Sequence, residues 1–187
     1  MLVIIILIII VALCIFMAVN LLKKQKKAKN EIEEKIKAEG FIISKKIQTS
    51  NSRLYVDDVN KKWFVQDNRY NSNPKFMKFS DLLEFEIYED GNSIAKGKTG
   101  RALVGGVLFG VVGAVAGSAG KKEIKNTCSA LQVRIRVNDL QCPEITMPII
   151  MSETKKDTPY YRLSLEQAKQ IAATLAYIQN GKKDIDK

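Results

Sequence analysis

The chain contains no histidine. That absence removes Ser-His-Asp and Cys-His nucleophilic catalysis, the HExxH zinc site and every imidazole general base in one step. Cysteine is scarce as well, with only Cys14, Cys128 and Cys142. Cys14 falls in an apolar run. The other two are expected on adjacent strands of a hairpin turning near Asn138-Asp139, with Cys142 facing positions 135–137. That register holds Cys142 too far from Cys128 for a disulfide. Three unbridged thiols suit a reducing, cytoplasmic compartment.

What is present starts with a strongly apolar beginning. Leu2 to Val19 is eighteen residues without a charge, dominated by isoleucine, leucine and valine. As a helix it would reach about 27 Å at ~1.5 Å per residue, close to the thickness of a bilayer core. A cleaved signal peptide fits less well, because the run lacks a basic start and a small-x-small cleavage site. Val11-Ala12-Leu13-Cys14 resembles a lipobox only loosely, since Leu13 stands where a small residue is wanted. Residues 1–22 are therefore expected to form a transmembrane helix.

The chain has 187 residues and a net charge of +10. Five lysines, Lys23, Lys24, Lys26, Lys27 and Lys29, follow the apolar run directly. Their position points to anionic lipid headgroups, and the charge asymmetry places the N-terminus outside and the C-terminal domain in the cytoplasm. Glu31 and Lys35, and Glu33 and Lys37, are i,i+4 pairs in the favourable order, and Gly40 suits a helix stop. Residues 23–39 thus read as a charged helical stalk.

From Phe41 to Met151 the pattern alternates with period two and is punctuated by turn clusters, so residues 40–181 are expected to be one mainly β domain. Expected strands cover 41–47, 54–59, 62–66, 75–79, 83–88, 130–137 and 144–150. In the fifth, Leu83, Phe85 and Ile87 would face the core while Glu84, Glu86 and Tyr88 face water. If it pairs with 130–137, Glu84 and Glu86 oppose Arg134 and Arg136, a structural use worth ~0.2–1 kcal/mol per pair. Ser164 and Gln167 form a capping box, followed by an apolar stripe of Leu165, Ala168, Ile171, Ala172, Leu175 and Ile178, with Gly181 at the end. Strands followed by one amphipathic helix is the order of a pleckstrin-homology-like (PH-like) domain, so the fold class is α+β, mainly β. Residues 182–187 read as a disordered tail.

The motifs Lys62-Trp63, Ser80-Asp81, Phe85-Glu86 and Glu89-Asp90-Gly91, and the run from Gly105 to Gly120, resemble a family of bacterial membrane-anchored proteins whose β domain is interrupted by a glycine-rich apolar insert. The resemblance covers roughly Tyr55 to Leu175. It implies no established activity, no metal and no cofactor.

Ala102 to Ala119 is uncharged, and on a helix Gly106 and Gly110, and Gly113 and Gly117, fall four apart, the spacing of close helix packing. A hairpin entering one leaflet, a hairpin or loop in water and a full crossing are the alternatives for this insert, 100–120 overall. Flanking strands that belong to one sheet oppose the crossing. Gly97-Lys98-Thr99 looks like part of a phosphate-binding loop, but Gly91 lies one residue too far upstream for GxxxxGK[ST].

The expected function is a non-enzymatic, membrane-tethered binding or scaffolding module with an anionic lipid surface and an unknown protein or peptide as partners. The alternative is a membrane-active homo-oligomer assembled through the glycine-rich hairpin. A catalytic centre would require carboxylates such as Asp57, Asp58 and Asp81 to gather in a pocket. Nucleic acid is disfavoured, because Lys61, Lys62 and Arg69 are mixed with acids, though Trp63 and Tyr70 would supply stacking groups.

Overall fold

The computed structural model describes residues 2–67, 74–98 and 126–181, with the backbone alone for 2–12, 21, 24–29 and 97–98. The glycine-rich insert with Gly106, Gly110, Gly113 and Gly117, the side chains of Lys24, Lys26, Lys27 and Lys29, Arg69, Tyr70 and the tail 182–187 lie outside the described residues. Two compact units are present, Met1–Phe41 and Ile42–Lys187.

The first unit is one helix, α1 (Leu2–Ala38). It stops at Gly40, whose φ of 65° is costly for residues with a Cβ. Phe41 N donates to Ile36 O at 2.9 Å and Gly40 N to Lys37 O at 3.1 Å. This is a Schellman closure, and Ile36 and Phe41 are both buried, as its apolar contact requires. Among the described residues no helix is long and apolar enough to cross a membrane.

The second unit holds ten strands, a single 3-10 turn and one helix among its described residues. Strands β1 (Lys45–Gln48), β2 (Ser52–Asp57), β3 (Lys62–Asp67) and β4 (Met77–Lys78) form an antiparallel meander. Strands β5 (Leu82–Glu89), β6 (Asn92–Lys98), β8 (Leu131–Val137) and β9 (Glu144–Ile150) form a second sheet in the order β6-β5-β8-β9. Strands β7 (Thr127–Cys128) and β10 (Thr154–Lys155) pair by themselves. The inner faces of the two sheets meet helix α2 (Pro159–Gly181) around Trp63, Phe79, Phe85, Ile135, Met147, Ile171 and Leu175, all essentially without solvent contact.

Several expectations need correction. The capping box at Ser164 does not start α2. Pro159 takes the first helical position, and Thr158 Oγ1 accepts from Tyr161 N at 3.2 Å, so Thr158 is the cap and Ser164 is buried one turn further on. In β5 a register shift between Leu82 and Glu84 turns Leu82 into the core and leaves Leu83 38% exposed. Cys128 lies on β7, outside the β8–β9 hairpin, and the three cysteines are free. Strand β6 was not expected, because Asn-Ser-Ile-Ala-Lys-Gly-Lys has little β-forming character.

Because β6 and β8 are both antiparallel to β5, they run parallel to each other. The chain leaves β6 at Lys98, level with Glu84 and Arg136, and is described again from Asn126 at the Asp90 end of the sheet. Those ends are about 20 Å apart, six strand steps of ~3.3 Å.

Candidate functional site

The outer face of the second sheet gathers charged side chains from four neighbouring strands. Period-two alternation puts Glu84, Glu86 and Tyr88 of β5 on that face, and the register sets Glu84 against Arg136 and Glu86 against Arg134. Lys96 of β6 lies opposite Glu86 on the other side. Glu144 of β9, level with Arg136, and Pro143 complete a shallow recess with these residues.

The expected opposition of carboxylates and arginines is present, but the face is not simply wet. Glu84 and Glu86 are only 8% and 9% exposed. Buried carboxylates need charge and hydrogen-bond partners, and the neighbouring strands supply them. Arg136 Nη1 donates to Glu84 Oε1 at 2.6 Å. Lys96 forms the ion pair with Glu86, while Arg134 stacks its guanidinium 4.3 Å from the Tyr88 ring centre. Burial pushes the Glu86 carboxyl up, but hydrogen bonds from Lys96, Tyr88 and Ser93 outweigh it and hold the group below the ordinary range. The hydrogen bond to Glu86 raises Tyr88 and, from the other partner, Lys96. The carboxylates therefore form an anionic floor under a rim of long cations.

The residues singled out as possible catalytic carboxylates are dispersed into turns. Asp57 has no exposed surface and accepts from Ile42 N at 2.8 Å, Val59 N at 3.0 Å, Asn60 N at 2.9 Å and Asn60 Nδ2 at 2.7 Å. Burial raises its pKa, and these donors more than reverse that. Asp58 pairs with Lys61 and accepts from Tyr177 Oη. Asp81 Oδ2 accepts from Lys78 N across the 3-10 turn Phe79–Asp81. Each carboxylate is consumed by local structure. Trp63 is fully buried and donates Nε1–H to Lys78 O at 3.1 Å, so it offers no stacking surface to a nucleic acid.

A second cluster escaped sequence reasoning because its members lie far apart in the chain. Ligand atoms of Glu89, Asp90 and Cys128 approach within 4.8 Å of one another, the spacing of a metal cage. Glu89 already accepts from Tyr161 Oη at 2.9 Å and pairs with Lys156. Asp90 Oδ1 accepts from Ser129 N at 2.8 Å and Ala130 N at 2.9 Å. Burial, followed by the charges of Glu89 and Asp90, pushes the Cys128 thiol up to about 11. The cluster instead ties the β5–β6 turn to the start of β8 and to α2. Gly97 and Lys98 lie on strand β6 and not in a phosphate-cradling loop before a helix.

Two antiparallel sheets around one core, with a single C-terminal helix packed on it, define a PH-like domain. The model of the family described as glycine zipper containing PH domain matches residues 41–151, more than half of the chain, and the chain belongs to that family. No curated protein and no solved structure matches it. Such domains are generally binding modules and not catalysts. The motifs that carried the resemblance have structural roles here: Trp63 and Phe85 in the core, Asp81 at a turn, and Glu89-Asp90-Gly91 at a hairpin with its cross-links.

Proposed function

We propose that this protein is a non-enzymatic binding module held at the cytoplasmic face of a membrane. The uncharged run Leu2 to Val19 is the anchor, and Lys23, Lys24, Lys26, Lys27 and Lys29 lie among anionic headgroups. The PH-like domain then presents a recognition surface to a protein or peptide. The observation that carries the binding assignment is the paired state of the recessed carboxylates. Glu84 and Glu86 are neutralised by Arg136 and Lys96, which suits recognition and provides no free acid or base.

The test is alkaline carbonate extraction of membranes, combined with thiol labelling of cysteine-free protein carrying Lys35→Cys or Lys183→Cys. The expected result is retention in the membrane pellet and protection of both positions from an impermeant reagent until lysis. Release by carbonate, or labelling in intact cells, overturns the tethered reading. The family's glycine zipper supports a second reading, self-association through the insert. Gly106→Leu with Gly110→Leu would then abolish crosslinked ladders, and unchanged ladders would sink it.

A further inference from the structure

Four exposed apolar side chains gather at the end of the second unit where the chain enters it. Ile42 and Ile43 are about half exposed, Val59 is 67% exposed and Leu140 is fully exposed. Asp57 accepts from both Ile42 N and Val59 N, which fixes the entering segment against the β2–β3 turn. Phe79 N donates to Lys61 O at 2.9 Å, and Asn138 N donates to Asp81 O at 2.8 Å. These bonds join the β2–β3 turn, the 3-10 turn and the β8–β9 turn that carries Leu140 into one rim. Apolar tips brought together on adjoining turns mark a contact surface.

The charges around them select its partner. Lys45, Lys75 and Lys78 are exposed on this rim, and Lys62 sits opposite Lys78. The acids there are engaged by the fold: Asp57 is buried, Asp58 pairs with Lys61, Asp81 caps the 3-10 turn, and Asp139 pairs with Lys75 while accepting from Gln141 N at 2.9 Å. The opposite end has the other balance, with Glu89, Asp90, Glu153 and Asp157 against Lys155 and Lys156.

From this placement we infer that the rim of Ile42, Val59 and Leu140 rests on an anionic bilayer surface. The apolar tips enter the headgroup boundary and the lysines lie among the phosphates, the combination of apolar burial and charge attraction that holds proteins at an interface. Continuity with the proposed anchor favours lipid over a protein partner. Ile42 lies four residues beyond the end of α1, the helix that contains Leu2 to Val19 and the five lysines. Residues 23–38 of that helix reach ~24 Å at ~1.5 Å per residue, which keeps the rim close to the headgroups. Tethering also makes the second contact intramolecular, so a small apolar surface suffices. The acidic end around Asp90 then faces away from the lipid. This inference rests on the anchored reading and adds an orientation for the domain.

The experiment uses the full chain with Cys14→Ala, in nanodiscs of anionic or of purely zwitterionic lipid. Cys142 is exposed on the β8–β9 turn and Cys128 is buried, so an environment-sensitive thiol fluorophore reports from the rim. In anionic nanodiscs its emission should shift to the blue and be quenched by lipids carrying a nitroxide below the headgroup. Both effects should be lost in zwitterionic nanodiscs, with Lys45→Glu plus Lys78→Glu, and with Val59→Asp plus Leu140→Asp. The exposure of these four side chains lets the variants fold, which circular dichroism checks. A fluorophore on Glu153→Cys, with Cys142→Ser, should stay in water throughout. No quenching at Cys142, in protein that still co-elutes with anionic nanodiscs, overturns the proposal and leaves the anchor standing. Failure to co-elute overturns both readings. A blue shift without nitroxide quenching assigns the rim to a protein surface and also overturns the proposal, as does equal quenching at the two ends.

Discussion

Asp57 shows how much one buried side chain can organise. Its two oxygens take four donors from Ile42, Val59 and Asn60, and so hold both the β2–β3 turn and the chain entering β1. Asp57→Asn replaces an acceptor oxygen by a donor facing other donors, and about 3 kcal/mol of stability should be lost, measurable as a fall in the urea midpoint. The pH dependence follows from the same contacts. The folded pKa values of Asp57 and Glu86 lie below their ordinary values, so their contribution is complete above the ordinary carboxylate range near pH 4. It is lost as pH falls through the lowered folded values. Urea melts should be steady from pH 7 to 5 and shift sharply below pH 4, and a flat profile down to pH 2.5 would contradict the assignment. In the sequence Asp57 was only one carboxylate among several, because its donors come from a segment fifteen residues away as well as from its own turn.

The elements differ in how openly the sequence declares them. The β5–β8 charge register was legible, since alternation with opposite signs on two strands admits few pairings. The shift at Leu82 was not, because an irregularity of one residue leaves no mark in a period-two pattern. The start of α2 lies six residues before the expected one: Ser164 and Gln167 make a plausible box, but Thr158 with Pro159 after it is the cap the backbone uses. Thr158→Ala should cost about 1 kcal/mol, whereas Ser164→Ala should act through lost packing and not lost capping. The β5–β6 turn makes a further demand, as Asp90 and Gly91 have φ of 47° and 79°. Added bulk at Gly91 meets open space, so Gly91→Ala should cost about 1 kcal/mol from backbone conformation alone. Thermal melts of the three alanine variants separate these effects from one another.

For the whole molecule, the proposed anchoring makes orientation the property to test. On that proposal the five lysines that follow the apolar run supply the charge bias. Replacing all five by glutamine should leave the protein in the carbonate pellet but expose Lys183→Cys to impermeant reagent in a substantial fraction of molecules. Unchanged protection would show that the folded domain sets orientation without them. The parallel relation of β6 and β8 has a different kind of consequence. The sheet requires only that the connection between them reach back about 20 Å, which some seven extended residues can do. Closure entropy changes by only about 0.6 kcal/mol for each doubling of loop length. A polar linker of a dozen residues in place of 99–125 should therefore let β8 find β5, so that the length and chemistry of the insert can be altered without rebuilding the domain that carries it.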